Sequence, residues 1–247
     1  MPAGCGHVVK KSDTAILVVS EAATRGDCQA QARYKSERGA AVGKLNVAVY
    51  KKKHRKLAIR SVTSTPSQPF AFNEMSLQTY LNEVVYNQAI ISWDEVELYD
   101  YLVIPYDQNE NGCLDVGGTQ DEANTIITSP NAIISNGNTT TIFLVSCIYD
   151  HSRAIHPHGI EIDKTVLVKH VSAQGFLNYV IAHELGHAAF GLKHTCSSAE
   201  PLGGCHSLPY NVDDENNIMW RYVDTVEGFT DSPKLRFWQW KQMQHIE

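Results

Sequence analysis

Residues 183–194 read HELGHAAFGLKH, and this stretch decides both the fold and the chemistry expected of the chain. On a helix, positions i and i+4 share a face, so His183 and His187 can aim imidazole nitrogens at one point. Glu184 lies about 100° around the helix from His183, within reach of a water molecule held at that point. Two histidines in this spacing, with a glutamate after the first, form the HExxH arrangement of zinc hydrolases.

The residues around this motif favour a buried helix beside a cleft. Val180, Ile181 and Ala182 before it are apolar, and Gly186 within it is small enough for close packing. Two histidines in a buried helix need polar partners, since burial of an unpaired polar group costs free energy. The sequence therefore predicts that His183 and His187 bind a metal ion.

The third ligand requires the chain to turn. His194 follows His187 by seven residues, which is about 10 Å along a continuous helix and too far to share an ion. Gly191 can adopt a left-handed conformation, end the helix and let His194 return to the metal. The alternative third ligand is a carboxylate further along the chain: Glu200, Glu215 or, behind them, Asp213.

Apolar runs and alternating segments predict the other elements. Strands are expected over 14–20, 45–50, 57–62, 96–104, 141–149 and 164–169. Helices are expected over 75–89, 119–128 and 173–190, with Asn73 and Ser172 as N-caps, and from Pro233 onward. The segments 45–50 and 57–62 are expected to form a hairpin, with the basic residues 51–56 at its tip.

This order of elements predicts an α/β lobe followed by a smaller, irregular lobe. The first lobe, residues 1–191, carries the active-site helix. The second lobe, residues 192–247, is rich in Gly, Pro, Ser and Asn and closes with a helix. The length of 247 residues suits one catalytic domain, 1–247, that is divided by a cleft.

At residues 183–194 the chain resembles the metzincin metallopeptidases, whose zinc motif is HExxHxxGxxH. Asn217-Ile218-Met219-Trp220 resembles the Met-turn of that family, a tight turn whose methionine lies beneath the zinc. One residue more than in the family motif separates His187 from Gly191. The helix must therefore run one residue longer, or bulge, before the glycine.

The resemblance implies an α/β (α+β) fold, with a mixed twisted sheet and the active-site helix in an upper lobe, and a small irregular lower lobe that ends in a helix. It implies a zinc endopeptidase that hydrolyses peptide bonds in proteins. Its site residues would be the ligands His183, His187 and His194, the general base Glu184, the supporting Met219 and a further catalytic residue, Tyr222. Two alternatives stay open: a non-catalytic, toxin-like zinc-binding module, and a zinc hydrolase of a non-peptide amide.

A second oxygen-rich segment lies at 107–115, which reads DQNENGCLD. Alternating oxygen side chains with glycine at the sixth position resemble the start of an EF-hand calcium loop, although Gly118 takes the place of the final glutamate. Its calcium ligands would be Asp107, Asn109, Asn111 and Asp115. The alternative is a turn held by Asn and Asp side chains.

Composition narrows the partners and the compartment. The net charge is −6, so the broad basic surface that binds nucleic acid is not expected. No stretch approaches the ~20 apolar residues of a membrane span. The six cysteines form no CxxC pair and favour disulfides, with Cys196–Cys205 as the first expectation. The cysteines therefore favour a secreted or periplasmic protein, and the resemblance implies a monomer that acts on protein or peptide.

Overall fold

The computed structural model describes residues 7–10, 16–19, 26–33, 41–49, 52–117, 122–129, 139–151, 157–162, 165–196, 206–207, 216–219 and 233–245. The chain divides into two compact units, residues 1–53 and 54–247. The sequence predicted a different division, into two lobes on either side of a cleft near Gly191, and that division stays a prediction.

The first unit contains two antiparallel strand pairs. Its strands are β1 (His7–Lys10), β2 (Ile16–Val19), β3 (Gly26–Arg33) and β4 (Ala41–Val49). Strand β1 pairs with β2, and β3 pairs with β4 from Gly26 opposite Val49 to Arg33 opposite Ala41. The predicted strands at 14–20 and 45–50 are therefore present.

The second unit holds the remaining elements. Its strands are β5 (Lys53–Thr63), β6 (Ile91–Val103), β7 (Leu114–Val116), β8 (Thr139–Val145), β9 (Ile148–Asp150), β10 (Gly159–Ile162), β11 (Thr165–Lys169), β12 (Thr195–Cys196) and β13 (His206–Ser207). Its helices are α1 (Glu74–Thr79), α2 (Ala123–Ile127), α3 (Gln174–Phe190) and α4 (Phe237–His245). The result is a mixed α/β fold.

Five of these strands form a mostly parallel sheet in the order β10-β11-β8-β5-β6. Strand β8 pairs in parallel with both β11 and β5, and β10 pairs with β11 antiparallel. Strand β6 runs alongside β5 in the same direction, because His54 contacts Asp94 near the start and Ile104 bonds to Thr63 near the end. Helix α1 lies in the crossover between these two strands, as parallel pairing requires.

The predicted hairpin of 45–50 with 57–62 is wrong. Strand β4 pairs with β3, while β5 has β8 on one side and β6 on the other. The basic residues 53–56 also lie within β5 and not at a turn, since Lys56 pairs with Glu95 and His54 with Asp94 of β6. Opposite charges on adjacent strands favour this pairing.

Both faces of the sheet are covered. On β8, Ile142 and Leu144 pack in a core beneath α3, whereas Phe143 and Val145 belong to a second cluster on the opposite face. Side chains of a strand alternate between faces, so a strand buried on both sides reads as a continuous apolar run. This explains why the sequence around 141–149 contains so few polar residues.

The predicted helix over 75–89 is present as a continuous helical segment, which is α-helical, then π-helical, then 3₁₀-helical. After α1 come a π-helical turn (Tyr80–Val85) and a 3₁₀ turn (Tyr86–Ala89). The Asn73 N-cap is confirmed, because its side-chain oxygen accepts a hydrogen bond from the Ser76 N–H at 2.9 Å. The same run buries Leu77, Leu81 and Val85 against the sheet.

Two predicted helix starts are shifted. Helix α3 begins at Gln174 after Ala173, so Ser172 is not its cap. Helix α4 begins at Phe237 and not at Pro233, because Lys234 bridges to Asn217 and its N–H donates to the Asn216 carbonyl at 2.7 Å. Among the helices of the described residues, none has the length and apolarity that a membrane crossing requires.

Candidate metal centre

Helix α3 lies in the core and carries the first two histidines. Its buried residues lie on nearly every side, from Phe176 and Leu177 near the start to Phe190 at the end. A helix that is apolar all round belongs inside a protein. His183 and His187 are half-buried on this helix, one turn apart, as the motif predicts.

Gly191 ends α3 and turns the chain towards the two histidines. Its φ is 59°, in the left-handed region that glycine adopts without a steric penalty. The Gly191 N–H bonds to the His187 carbonyl at 2.8 Å, and the Leu192 N–H bonds to the Gly186 carbonyl at 2.9 Å. The second bond reaches one residue further back than in the Schellman cap. The additional residue before Gly191 is thus absorbed in the last turn.

The turn brings His194 to the other two histidines. Its Nε2 lies 3.1 Å from the Nε2 of His183 and 3.1 Å from the Nε2 of His187. The three ligand atoms lie within 4.8 Å of one another, and this is the one such group among the described residues. The three histidines are therefore placed to hold a metal ion.

Backbone carbonyls orient two of the rings from behind. His183 Nδ1 lies 2.7 Å from the Ile218 carbonyl, and His187 Nδ1 lies 2.5 Å from the Leu192 carbonyl. A carbonyl only accepts, so each Nδ1 carries the proton and each Nε2 presents its lone pair to the centre. This is the outer arrangement common around metal-bound histidines.

Burial keeps these two rings neutral. It lowers the pKa of His183 well below its ordinary value, and the neighbouring His187 and His194 lower that pKa further. Burial also lowers the pKa of His187, against the opposing effects of the Leu192 carbonyl and the charge of Glu161. Neutral imidazole is the form that binds metals, so both rings are ready to act as ligands.

The segment 216–219 packs beneath α3. Met219 is fully buried, and its sulfur occupies the space next to Gly186, where a Cβ would lie only 2.4 Å from it. The Met219 carbonyl accepts a hydrogen bond from the Thr195 N–H at 2.8 Å, next to His194. Met219 therefore packs against the helix that carries His183 and His187, and its role as the methionine of a Met-turn stays a prediction.

Glu184 lies beside the histidines and is pressed by strand β10. It is buried, with 8% of its surface exposed. A Cβ on Gly159 would lie 2.5 Å from its Cγ and 2.8 Å from one carboxylate oxygen, so a larger residue there would require the Glu184 side chain to shift. The backbone of β10 thus restricts the glutamate side chain. Its role as general base stays a prediction.

The four predicted calcium ligands lie together around a fully buried Asp115. The side-chain amides of Asn109 and Asn111 donate to its carboxylate. Asp107 accepts hydrogen bonds from the N–H groups of Asn111 at 3.0 Å and Gly112 at 2.9 Å. These are the contacts of a turn held by Asn and Asp side chains. Calcium binding stays a prediction.

A disulfide between Cys113 and Cys147 fastens the same segment. Glu122 closes it from the other side, accepting from the N–H groups of Asp115 at 2.9 Å and Gln108 at 2.6 Å. Disulfides are typical of oxidising compartments, so this bond is consistent with an extracellular protein.

Several predicted residues lie outside the described part of the chain. They are Tyr222, Cys205 and the alternative ligands Glu200, Asp213 and Glu215. The catalytic role of Tyr222, the Cys196–Cys205 bond and a carboxylate ligand therefore stay predictions.

Two further residues of the site make contacts that the sequence did not predict. Asn217 is fully buried and exchanges two side-chain hydrogen bonds with Gln239 of α4, at 2.9 and 3.1 Å. Its Oδ1 also accepts from the Met219 N–H at 2.9 Å. Gly159 likewise lies in β10, a strand that the sequence did not predict. Both residues act through tertiary contacts, which no local pattern indicates.

Comparison of the chain with models of known protein families, with curated proteins and with solved structures gave no match. The inference that this protein can bind a metal ion therefore rests on the geometry of His183, His187 and His194.

Proposed function

We propose that the protein is a zinc metalloendopeptidase of the metzincin type. The observation that carries this proposal is the convergence of three Nε2 atoms next to a buried glutamate, with the His194 atom 3.1 Å from each of the other two. Zinc binds imidazole nitrogen at about 2.0–2.1 Å in a tetrahedron, which puts the nitrogens roughly 3.3 Å apart. The residues therefore fit zinc, and three protein ligands are typical of catalytic zinc sites.

The donor set also favours zinc over calcium or magnesium at this centre. Calcium and magnesium prefer oxygen ligands, whereas imidazole suits zinc and other late first-row metals. The two buried rings have pKa values lowered by desolvation, so they do not need to lose a proton at neutral pH.

The residues divide the work of peptide hydrolysis. A zinc ion held by the three histidines would supply an acidified water and polarise the substrate carbonyl. Glu184 takes the proton from the attacking water at its carboxylate and passes it to the leaving amine. The absence of a side chain at Gly159 leaves room for the Glu184 side chain, and the Ile218 and Leu192 carbonyls keep the His183 and His187 rings aligned.

Strand β10 offers a place for the substrate. It is an edge strand of the five-stranded sheet within the described residues, and it packs beside α3. An extended peptide can add to such an edge through main-chain hydrogen bonds. A peptide placed there would pass close to Glu184 and the histidines.

The test is a Glu184→Gln variant of the full chain. Glutamine keeps the shape of the side chain but cannot accept the proton, so we expect zinc to stay bound at full stoichiometry. Cleavage of a mixed peptide library should fall by about 10²–10⁴-fold, the usual contribution of a general base. The control is Glu83→Gln, which removes the same charge from an exposed helical position.

Three outcomes would contradict the proposal. Wild-type protein that binds zinc but cleaves no peptide would point to a non-catalytic module. Cleavage of small non-peptide amides alone would point to an amide hydrolase. Full activity in the Glu184→Gln variant would remove Glu184 as the base.

A further inference from the structure

Glu161 lies on the side of β10 that faces α3. A Cβ on Gly159, two residues before it, would point towards Glu184. Residues i and i+2 of a strand lie on the same face. Ile160 and Ile162 point the other way and pack against the second core cluster. The side chain of Glu161 therefore lies on the face of β10 that is turned towards α3, the helix that carries His183 and His187.

The Glu161 side chain is exposed and close to the metal centre. Gly159, two residues before it on the same face, lies against Glu184, which directly follows His183 in the chain. Within the described part of the chain, no Lys, Arg or His pairs with it. Among the described residues, the carboxylate is thus not engaged in an ion pair.

We propose that Glu161 is a specificity-determining residue, which accepts the cationic side chain of a lysine or arginine in an extended peptide bound along β10. This inference rests on the proposed function, because it assumes that peptides bind along β10. Side chains on neighbouring strands of a sheet lie about 4.5–5.5 Å apart on one face, and opposite charges there attract. Lysine and arginine are long enough to reach the carboxylate from a neighbouring position.

The same arrangement disfavours acidic substrates. Glu161 lies on this face of β10 and Glu184 of α3 lies against the same face, so an Asp or Glu side chain of the peptide would meet like charge. Like charges opposite each other destabilise strand pairing. The preference should therefore run from basic through neutral to acidic at one position of the peptide.

The first experiment measures binding without cleavage, using the zinc-loaded Glu184→Gln protein. The probes are peptides that share one uncharged host sequence. A single Arg, Gln or Glu is placed at each position of that sequence in turn. We expect one position at which Arg binds about fivefold more tightly than Gln, the range of an exposed ion pair. Adding Glu161→Gln should abolish this difference, and Glu161→Lys should reverse it in favour of Glu.

The control variant is Glu97→Gln. Glu97 is exposed on β6, at the opposite edge of the sheet, four strand spacings or roughly 19 Å from β10. It should keep the preference for arginine. The inference is wrong if no position prefers arginine, if the preference survives Glu161→Gln, or if Glu97→Gln removes it equally.

Cleavage of the same peptides by protein with Glu184 intact separates this inference from the proposed function. If arginine peptides bind through Glu161 but are not cleaved, the peptidase proposal fails and the recognition role of Glu161 stands. If peptides are cleaved and binding shows no dependence on Glu161, the peptidase proposal stands and this inference fails.

Discussion

At the residue scale, the metal centre depends on His194, which lies outside the helix that carries the other two histidines. Its Nε2 closes the group at 3.1 Å from both partners. Ligands on one helix share a face and leave the third side of an ion open. The third ligand must therefore come from the chain beyond Gly191.

We expect His194→Ala to lower the zinc affinity by more than about 100-fold, since even outer contacts of zinc ligands contribute 10–100-fold. The measurement is competition with a fluorescent chelator at pH 7.5. The control is His54→Ala, which removes an exposed histidine of β5 that pairs with Asp94 of β6. Unchanged affinity in His194→Ala would favour Glu200 or Glu215 as the third ligand.

At the element scale, the end of α3 decides where His194 goes. Gly191 has a left-handed φ of 59°, and Gln242 of α4 donates to the carbonyls of Phe190 at 3.1 Å and Gly191 at 2.7 Å. These bonds satisfy carbonyls that the helix leaves open at its end. Helix α4 thus stabilises the turn from which the third ligand projects.

Replacing Gly191 tests this turn. A Cβ there would have only an ordinary contact of 3.7 Å with Gln242, so the cost comes from the backbone conformation. We expect Gly191→Ala to lower the free energy of unfolding by about 1–2 kcal/mol and to weaken zinc binding. Gly191→Asn should lose less of both, because asparagine tolerates this conformation. Urea titration measures the first effect, and equal losses in the two variants would argue against it.

At the scale of the whole molecule, the sheet separates two cores with different roles. The core beneath α3 includes Ile218, Met219 and Met243 and so joins the C-terminal segments to the metal centre. The opposite core includes Leu114 and Ile148, next to the Cys113–Cys147 disulfide. Stability of one core and function of the other should therefore be separable.

Removing the disulfide tests this separation. The bond joins residues 34 positions apart, and closing a loop of that length contributes about 3–4 kcal/mol. We expect the double variant Cys113→Ser and Cys147→Ser to lose about that much stability in urea, with zinc affinity unchanged. A large loss of zinc affinity at temperatures where the variant is folded would contradict the separation.

We expect His183 and His187 to make the metal-free protein less stable in acid. Burial lowers the pKa values of His183 and His187, whereas the unfolded chain takes up protons at histidine near pH 6.5. The unfolded state then binds more protons, so stability is retained above about pH 6.5 and falls as the pH is lowered below it.

Urea unfolding in EDTA between pH 7.5 and 5.5 measures this decline. The variant His183→Gln with His187→Gln lacks both titrating groups and should show a shallower dependence on pH. An equal slope in the two proteins would show that other groups cause the decline.

The sequence predicted individual strands more readily than it predicted which strands pair with one another. The alternation at 57–62 correctly predicted a strand but placed it in a hairpin, because alternation shows which face is buried and not which strand lies alongside. Strand β10 was missed because its four residues include a glycine and a charged residue. Its position at the edge of the sheet, and its role at the site, follow from pairing with β11.

The sequence by itself determined the local part of the metal centre. The spacing of His183 and His187 and the placement of Gly191 act within one helix and its last turn, so their consequences could be read directly. Three features depend on how distant segments pack: His194 closes the group, Ile218 and Leu192 orient the rings, and the backbone at Gly159 lies against Glu184. The physical reason is that helix periodicity and glycine conformation are local, whereas these contacts require segments distant in sequence to pack in one core.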